Sequence, residues 1–103
     1  MPDFANPFSG NVPRPMTPEE LIRAIRLTLA AEEEAVHMYT ALAEAAPDEL
    51  AKKVLLDIAN EERQHAGEFL HLLRLLAPDE EGFLAAGKKE VEEMARQVRR
   101  TAG

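Results

Sequence analysis

Apolar residues recur every three or four positions along two long stretches of the chain, a spacing that predicts two amphipathic helices. In the first, Leu21, Ile25, Leu29, Glu32, Val36, Tyr39 and Ala43 share one face; in the second, Val54, Ile58, Glu62, His65, Phe69, Leu72 and Leu76 do. Thr17-Pro18-Glu19-Glu20 supplies a capping hydroxyl, a proline at the first helical position and a glutamate three residues after the threonine, so helix 1 starts there. It runs without a breaker to Ala46. Pro47-Asp48-Glu49 restarts the chain, and helix 2 continues to Ala77 and stops at Pro78. At ~1.5 Å per residue each helix is about 40 Å long, and a turn this short makes the two antiparallel neighbours. Gly67, inside helix 2, costs ~1 kcal/mol relative to Ala, which either close approach of another helix or tolerated drift accounts for. Residues 79–103 predict a third, shorter helical region interrupted at Gly82 and Gly87. Leu84, Val91, Met94 and Val98 form its narrow stripe, with acids early and Arg96, Arg99 and Arg100 late, as the helix dipole favours. Residues 1–16, with Pro2, Pro7, Pro13, Pro15, Gly10 and Asn11, sustain neither helix nor strand. They read as an extended arm whose Phe4 and Phe8 either dock on a neighbour or stay free. No strand-like alternation occurs. The expected fold is all-α: an arm over 1–16, then one domain over 17–103 built as an antiparallel two-helix hairpin with a short C-terminal helix.

Three positions of the apolar faces are polar. Glu32 in helix 1 and the pair Glu62-x-x-His65 in helix 2 stand where leucine is expected. Burying an unpaired charge costs roughly several kcal/mol, so these groups either pair with one another or share a cation. A Glu-x-x-His pair on each of two helices and a Glu on each of two others is the ligand set of di-iron carboxylate bundles. This chain has one of each, so two copies are needed to complete the set, and the expected unit is a homodimer closing a four-helix bundle around a site shared by both subunits. Carboxylates and imidazole without thiolate suit iron or manganese and admit zinc. Tyr39, two turns beyond Glu32, is either a core aromatic with its hydroxyl bonded or a group that orients a ligand. Glu61 lies off the seam. Glu33 and Glu34 belong to an acidic run of the surface type, where Glu34 is a candidate for guiding metal inward; His37 and His71 read as surface histidines.

Composition narrows the partners. The 103 residues suffice for one small domain, 46% hydrophobic and 30% charged. A net charge of -7 opposes nucleic acid and favours cations. With no Cys, disulfides, zinc-thiolate sites and a rubredoxin-type iron centre are excluded from this chain. No apolar run approaches the ~20 residues of a membrane span and no signal-peptide pattern opens the chain, so the expectation is a cytoplasmic protein without a membrane partner.

Residues 31–39, AEEEAVHMY, together with 55–69, LLDIANEERQHAGEF, resemble the encapsulated ferritins, the short ferritin-like cargo of encapsulin nanocompartments. The resemblance covers roughly residues 17–98. It implies a ferroxidase that oxidises Fe(II) with dioxygen at a di-iron centre between two chains, for iron storage or detoxification within the nanocompartment. By the same resemblance Glu32, Glu62 and His65 are the metal ligands, Glu62 bridging the metals, with Tyr39 beside them in the catalytic set. It also implies rings of dimers, commonly decamers, with an encapsulin shell as partner and the shell interior as location. Two departures stand out. A carboxylate pair on the outer face of some relatives is reduced here to Glu34, since position 31 is alanine. The chain also ends at Arg99-Arg100-Thr101-Ala102-Gly103 with no shell-targeting peptide, which leaves truncation, fusion to a shell or another means of targeting open. The competing readings are a rubrerythrin-like peroxide reductase, which lacks its in-chain electron relay here, and a non-catalytic helical oligomerisation module in which Glu32, Glu62 and His65 form buried salt bridges.

Overall fold

In the computed structural model residues 14–102 are described. They form three helices and no strand: α1 (Pro18–Ala45), α2 (Glu49–Leu76) and α3 (Glu80–Ala102). Phe4, Phe8 and most of the arm lie outside the described residues.

The capping box at the start of α1 is complete. Thr17 Oγ1 accepts from the Glu20 N–H at 3.2 Å, and Glu20 Oε1 accepts from the Thr17 N–H at 2.9 Å. Arg14, expected in the extended arm, turns back and grips the same carboxylate with both guanidinium nitrogens, at 2.7 and 2.9 Å. These bonds, the Arg14 fork first and the Thr17 N–H second, hold the Glu20 carboxyl down at about 2. A depressed folded-state value means that the stabilisation from this cap is present above the ordinary carboxylate range and is lost as pH falls toward 2. The turn into α2 is short, and Asp48 Oδ2 caps the new helix by accepting from the Ala51 N–H at 2.9 Å. At the far end Ala77 caps α2 immediately before Pro78.

The α1–α2 contact orders the molecule. Ile25, near the start of α1, is buried against Leu73 and Ala77 at the end of α2, with Leu21, Ile22, Phe69 and Leu76 packed around them. This pairing of a helix start with a helix end requires α2 to run back along α1. On α1 the face facing α2 is the one that the apolar spacing predicts: Ile25 and Ala43 are buried, and Leu21, Leu29, Glu32, Val36 and Tyr39 are half-buried. On α2 the face is rotated from the expected one. The buried positions are Ala59, Ala66 and Leu73, and Leu55, Glu62, Phe69 and Leu76 flank them, while Val54, His65 and Leu72 are exposed. The alanines explain the rotation, because small side chains let two backbones come close and the larger residues then fill the flanks. Gly67 is not part of this approach, since a Cβ there would meet no atom within 4 Å. Leu73 is the largest fully buried side chain, 1% exposed. Leu73→Ala is therefore expected to destabilise the chain by about 2–5 kcal/mol, read as a lowered urea midpoint.

Glycines 82 and 87 do not interrupt α3, contrary to the sequence expectation, and the helix is the shortest of the three, with 23 residues against 28 in each of the others. Two glycines cost roughly 2 kcal/mol together. Glu80 and Glu81 in the first turn and Arg99 and Arg100 in the last favour the helix dipole. Its first turn is also tied to both other helices. Arg26 of α1 donates to Glu80 at 2.6 and 3.3 Å, and Arg74 of α2 lies 3.4 Å from Glu81. The fork from Arg26 lowers the Glu80 carboxyl below its ordinary range. Beyond that turn α3 leaves the pair. None of its residues is buried, and Phe83, Val91, Met94 and Val98 face solvent. The radius of gyration, 18.1 Å, far exceeds the roughly 13 Å of a compact chain of this length.

Candidate metal site

Because the start of α1 meets the end of α2, the middles of the two helices also meet. Glu32 of α1 faces Glu62 and His65, one turn apart on α2. His65 Nδ1 stands 3.8 Å from Glu32 Oε2 and 3.8 Å from Glu62 Oε2. One potential ligand atom from each of the three residues falls within 4.8 Å of the others. These gaps exceed hydrogen-bond length, so the imidazole is not bonded to either carboxylate oxygen across them. Two ligands held ~2.1 Å from one ion at a tetrahedral angle are roughly 3.4 Å apart, so small side-chain movements convert the observed spacing into a coordination shell.

Glu32 shows why a cation fits. Its Oε2 is buried and accepts no hydrogen bond, and the His65 imidazole at 3.8 Å compensates it only weakly. A cation between the three residues supplies that compensation.

Within one chain the rotation of α2 leaves its two polar groups partly open, on the side where a second copy is expected to close the bundle. The Glu62 side chain is 21% exposed and that of His65 is 48% exposed. The group therefore sits at the margin of the α1–α2 contact and opens outward. Beside it lies a cleft of about 330 Å³ lined by Glu32, His65, Glu68, Phe69 and Leu72.

Tyr39 is half-buried and lies two turns from Glu32, ~10 Å along α1, outside the three-residue group and the cleft lining. Glu33, Glu34, His37, Glu61 and His71 are all exposed. Glu68 is the cleft residue that the sequence reading passes over. Its signal was available: it follows His65 by three positions, as His65 follows Glu62.

The chain is similar to known proteins over most of its length. The family model described as Rubrerythrin matches residues 24–102. The chain is 42% identical over 89 residues to the ferritin-like-encapsulin shell fusion protein of Pyrococcus furiosus, covering 86% of this chain and 26% of that protein. It is also 42% identical over 93 residues to the encapsulin nanocompartment cargo protein EncC of Myxococcus xanthus, covering 90% of this chain and 68% of that one. The chain thus spans about a quarter of the first relative's length and about two thirds of the second's. Among solved structures, the encapsulated ferritin domain from Pyrococcus furiosus superposes with a TM-score of 0.78 at 40% identity, covering 89% of this chain and 94% of that one.

Proposed function

This chain belongs to the encapsulated-ferritin group of the rubrerythrin family, and on that premise we propose that it is a ferroxidase whose di-iron site is shared by two copies. The observation that carries the reading is the buried, unbonded Glu32 Oε2 facing Glu62 and His65. One chain offers a single Glu and a single Glu-x-x-His. Two copies supply the set that a di-iron bundle draws from four helices, so the α1–α2 pairs of two subunits form the bundle. Exposed Val54, Leu72 and the α3 stripe are apolar surface that such assembly covers, first as a dimer and then as a ring of dimers, a decamer by the family resemblance.

Fe(II) is the substrate. Glu32, Glu62 and His65 bind two ions side by side, and the carboxylates favour the more highly charged ferric product. Each iron gives one electron; dioxygen takes both, with two protons, and leaves as hydrogen peroxide. By the family resemblance Tyr39 belongs to the catalytic set, which the second copy would have to complete, because within one chain it lies outside the group of donors. Manganese or zinc can occupy the same donors without completing this reaction. The named relatives are a shell fusion and a shell cargo, which supports an encapsulin shell as partner and the interior of a cytoplasmic nanocompartment as location. No helix among the described residues is long and apolar enough to cross a membrane.

The family model also favours a second reading, a peroxide reductase. This chain contains no Cys to hold a rubredoxin-type relay, so that activity needs an external electron donor. Anaerobic loading with Fe(II) followed by oxygen separates the two. The expected result is two irons oxidised per pair of chains, with a ferric precipitate under excess iron and a soluble product when a matching encapsulin shell is co-expressed. Peroxide consumption that outpaces oxygen consumption would favour the reductase. A discrete mineral core inside the shell-free assembly would overturn the dependence on a shell.

A further inference from the structure

We propose that two ion pairs at the start of α3, Arg26–Glu80 and Arg74–Glu81, form a charge clasp that fixes the angle at which α3 leaves the helical pair, and with it the way α3 is presented to a second copy. α1 and α2 share a core around Ile25, Leu73 and Ala77, and it contains no residue of α3. Among the described residues no Cα of α1 lies within 8 Å of one in α3. Arg26 spans this gap with its long side chain and donates to both Glu80 oxygens, at 2.6 and 3.3 Å. The Glu80 side chain is only 14% exposed, so the fork is partly shielded from water and salt. Asp79 adds a second negative charge beside Arg26.

The second pair makes the clasp directional. Arg74 Nε is buried without a hydrogen bond, and Glu81 Oε2 at 3.4 Å is its ion partner. One tie to α1 and one to α2 restrain adjacent residues of α3 from two sides, which limits both tilt and rotation about the turn. Exposed ion pairs contribute little beside a packed core. Here no core of α3 competes with them, so a weak restraint is enough to select among orientations. The backbone turn, in which the Glu80 N–H donates to the Ala77 carbonyl at 2.9 Å, fixes where α3 starts. A free arm loses orientational freedom on association, whereas a clasped one has lost it beforehand. α3 carries Val91, Met94 and Val98, part of the apolar surface that the proposed assembly covers, and the bearing of the clasp on assembly rests on that reading.

Distance measurement by pulsed electron spin resonance on the metal-free, full-length protein tests the clasp. The chain has no Cys, so spin labels attach only at Lys53→Cys on α2 and Gln97→Cys on α3, both exposed positions, with labelled chains diluted in an unlabelled excess. Gln97 lies ~26 Å along α3 from its start, so a swing of about 20° carries it roughly 9 Å. Arg26→Glu combined with Arg74→Glu is expected to shift the label distance by at least about 5 Å, or roughly to double its spread. Adding Glu80→Arg and Glu81→Arg, which swaps the charges, should restore the wild-type distribution. Glu93→Gln, a charge change farther along α3 where the partner is Arg96, should leave it unmoved. Association of the Arg26→Glu/Arg74→Glu variant, read by sedimentation over a protein concentration series, should weaken about three- to tenfold. An unmoved distance in that variant would overturn the clasp, as would equal broadening by Glu93→Gln or a charge swap that restores nothing. Unchanged association despite a moved arm would overturn its bearing on assembly. Both measurements are made without iron, so failure of the metal site would leave their outcome unaffected.

Discussion

His65→Ala is expected to lower the rate of Fe(II) oxidation by at least about 100-fold, a larger effect than removal of a group that only supports a ligand. Each subunit contributes one imidazole, so in a shared site the substitution removes both at once. Glu62→Ala should be as severe, because by the family resemblance its carboxylate would bridge the two metals. Glu32→Ala should follow closely, since the compensating partner of the cation is then gone from both sides. None of the three should unfold the protein. His65 is half exposed, and deleting the unbonded Glu32 carboxylate removes an electrostatic cost of the metal-free state. Oxygen consumption after anaerobic Fe(II) loading, with circular dichroism as the control for folding, measures both. Wild-type rates in all three variants would remove these residues from the site, whatever the activity of the protein.

The second large effect is on assembly. If the proposed site draws its ligands from two chains, metal binding and association are one equilibrium, so chelation should move the protein toward dimers and monomers. An ion held at 100 times its dissociation constant stabilises the state that binds it by about 2.7 kcal/mol, and two shared ions together shift the association constant by roughly 10⁴. Acid should act in the same direction, because imidazole and carboxylate must lose their protons to hold the ion. Sedimentation at low micromolar protein, with and without iron, reads the shift. An unchanged distribution would show that assembly rests on apolar contacts alone, with the exposed Val91, Met94 and Val98 of α3 the first surface to vary.

The sequence by itself determined the first two helices and their ends, and it marked the candidate chemistry. Capping boxes and prolines act within a few residues, so Thr17, Asp48 and Pro78 mark boundaries that the structure places within a residue or two. Glu62-x-x-His65 was equally legible, because a carboxylate and an imidazole on an apolar face are costly wherever that face packs. Tertiary structure decided which way the face points. Apolar spacing defines an arc but not its centre, and on α2 the arc is wide enough to serve two contacts. The alanines at 59 and 66 took the close approach to α1, which left His65 and Leu72 on the open side. Tertiary contacts also settled α3. Arg26 and Arg74 hold its first turn, and dipole-favouring charges carry it through glycines that local propensity alone reads as breaks. Glu68 needed both kinds of information: its spacing is in the sequence, but only the rotation of α2 shows that it opens into the same cleft as Glu32.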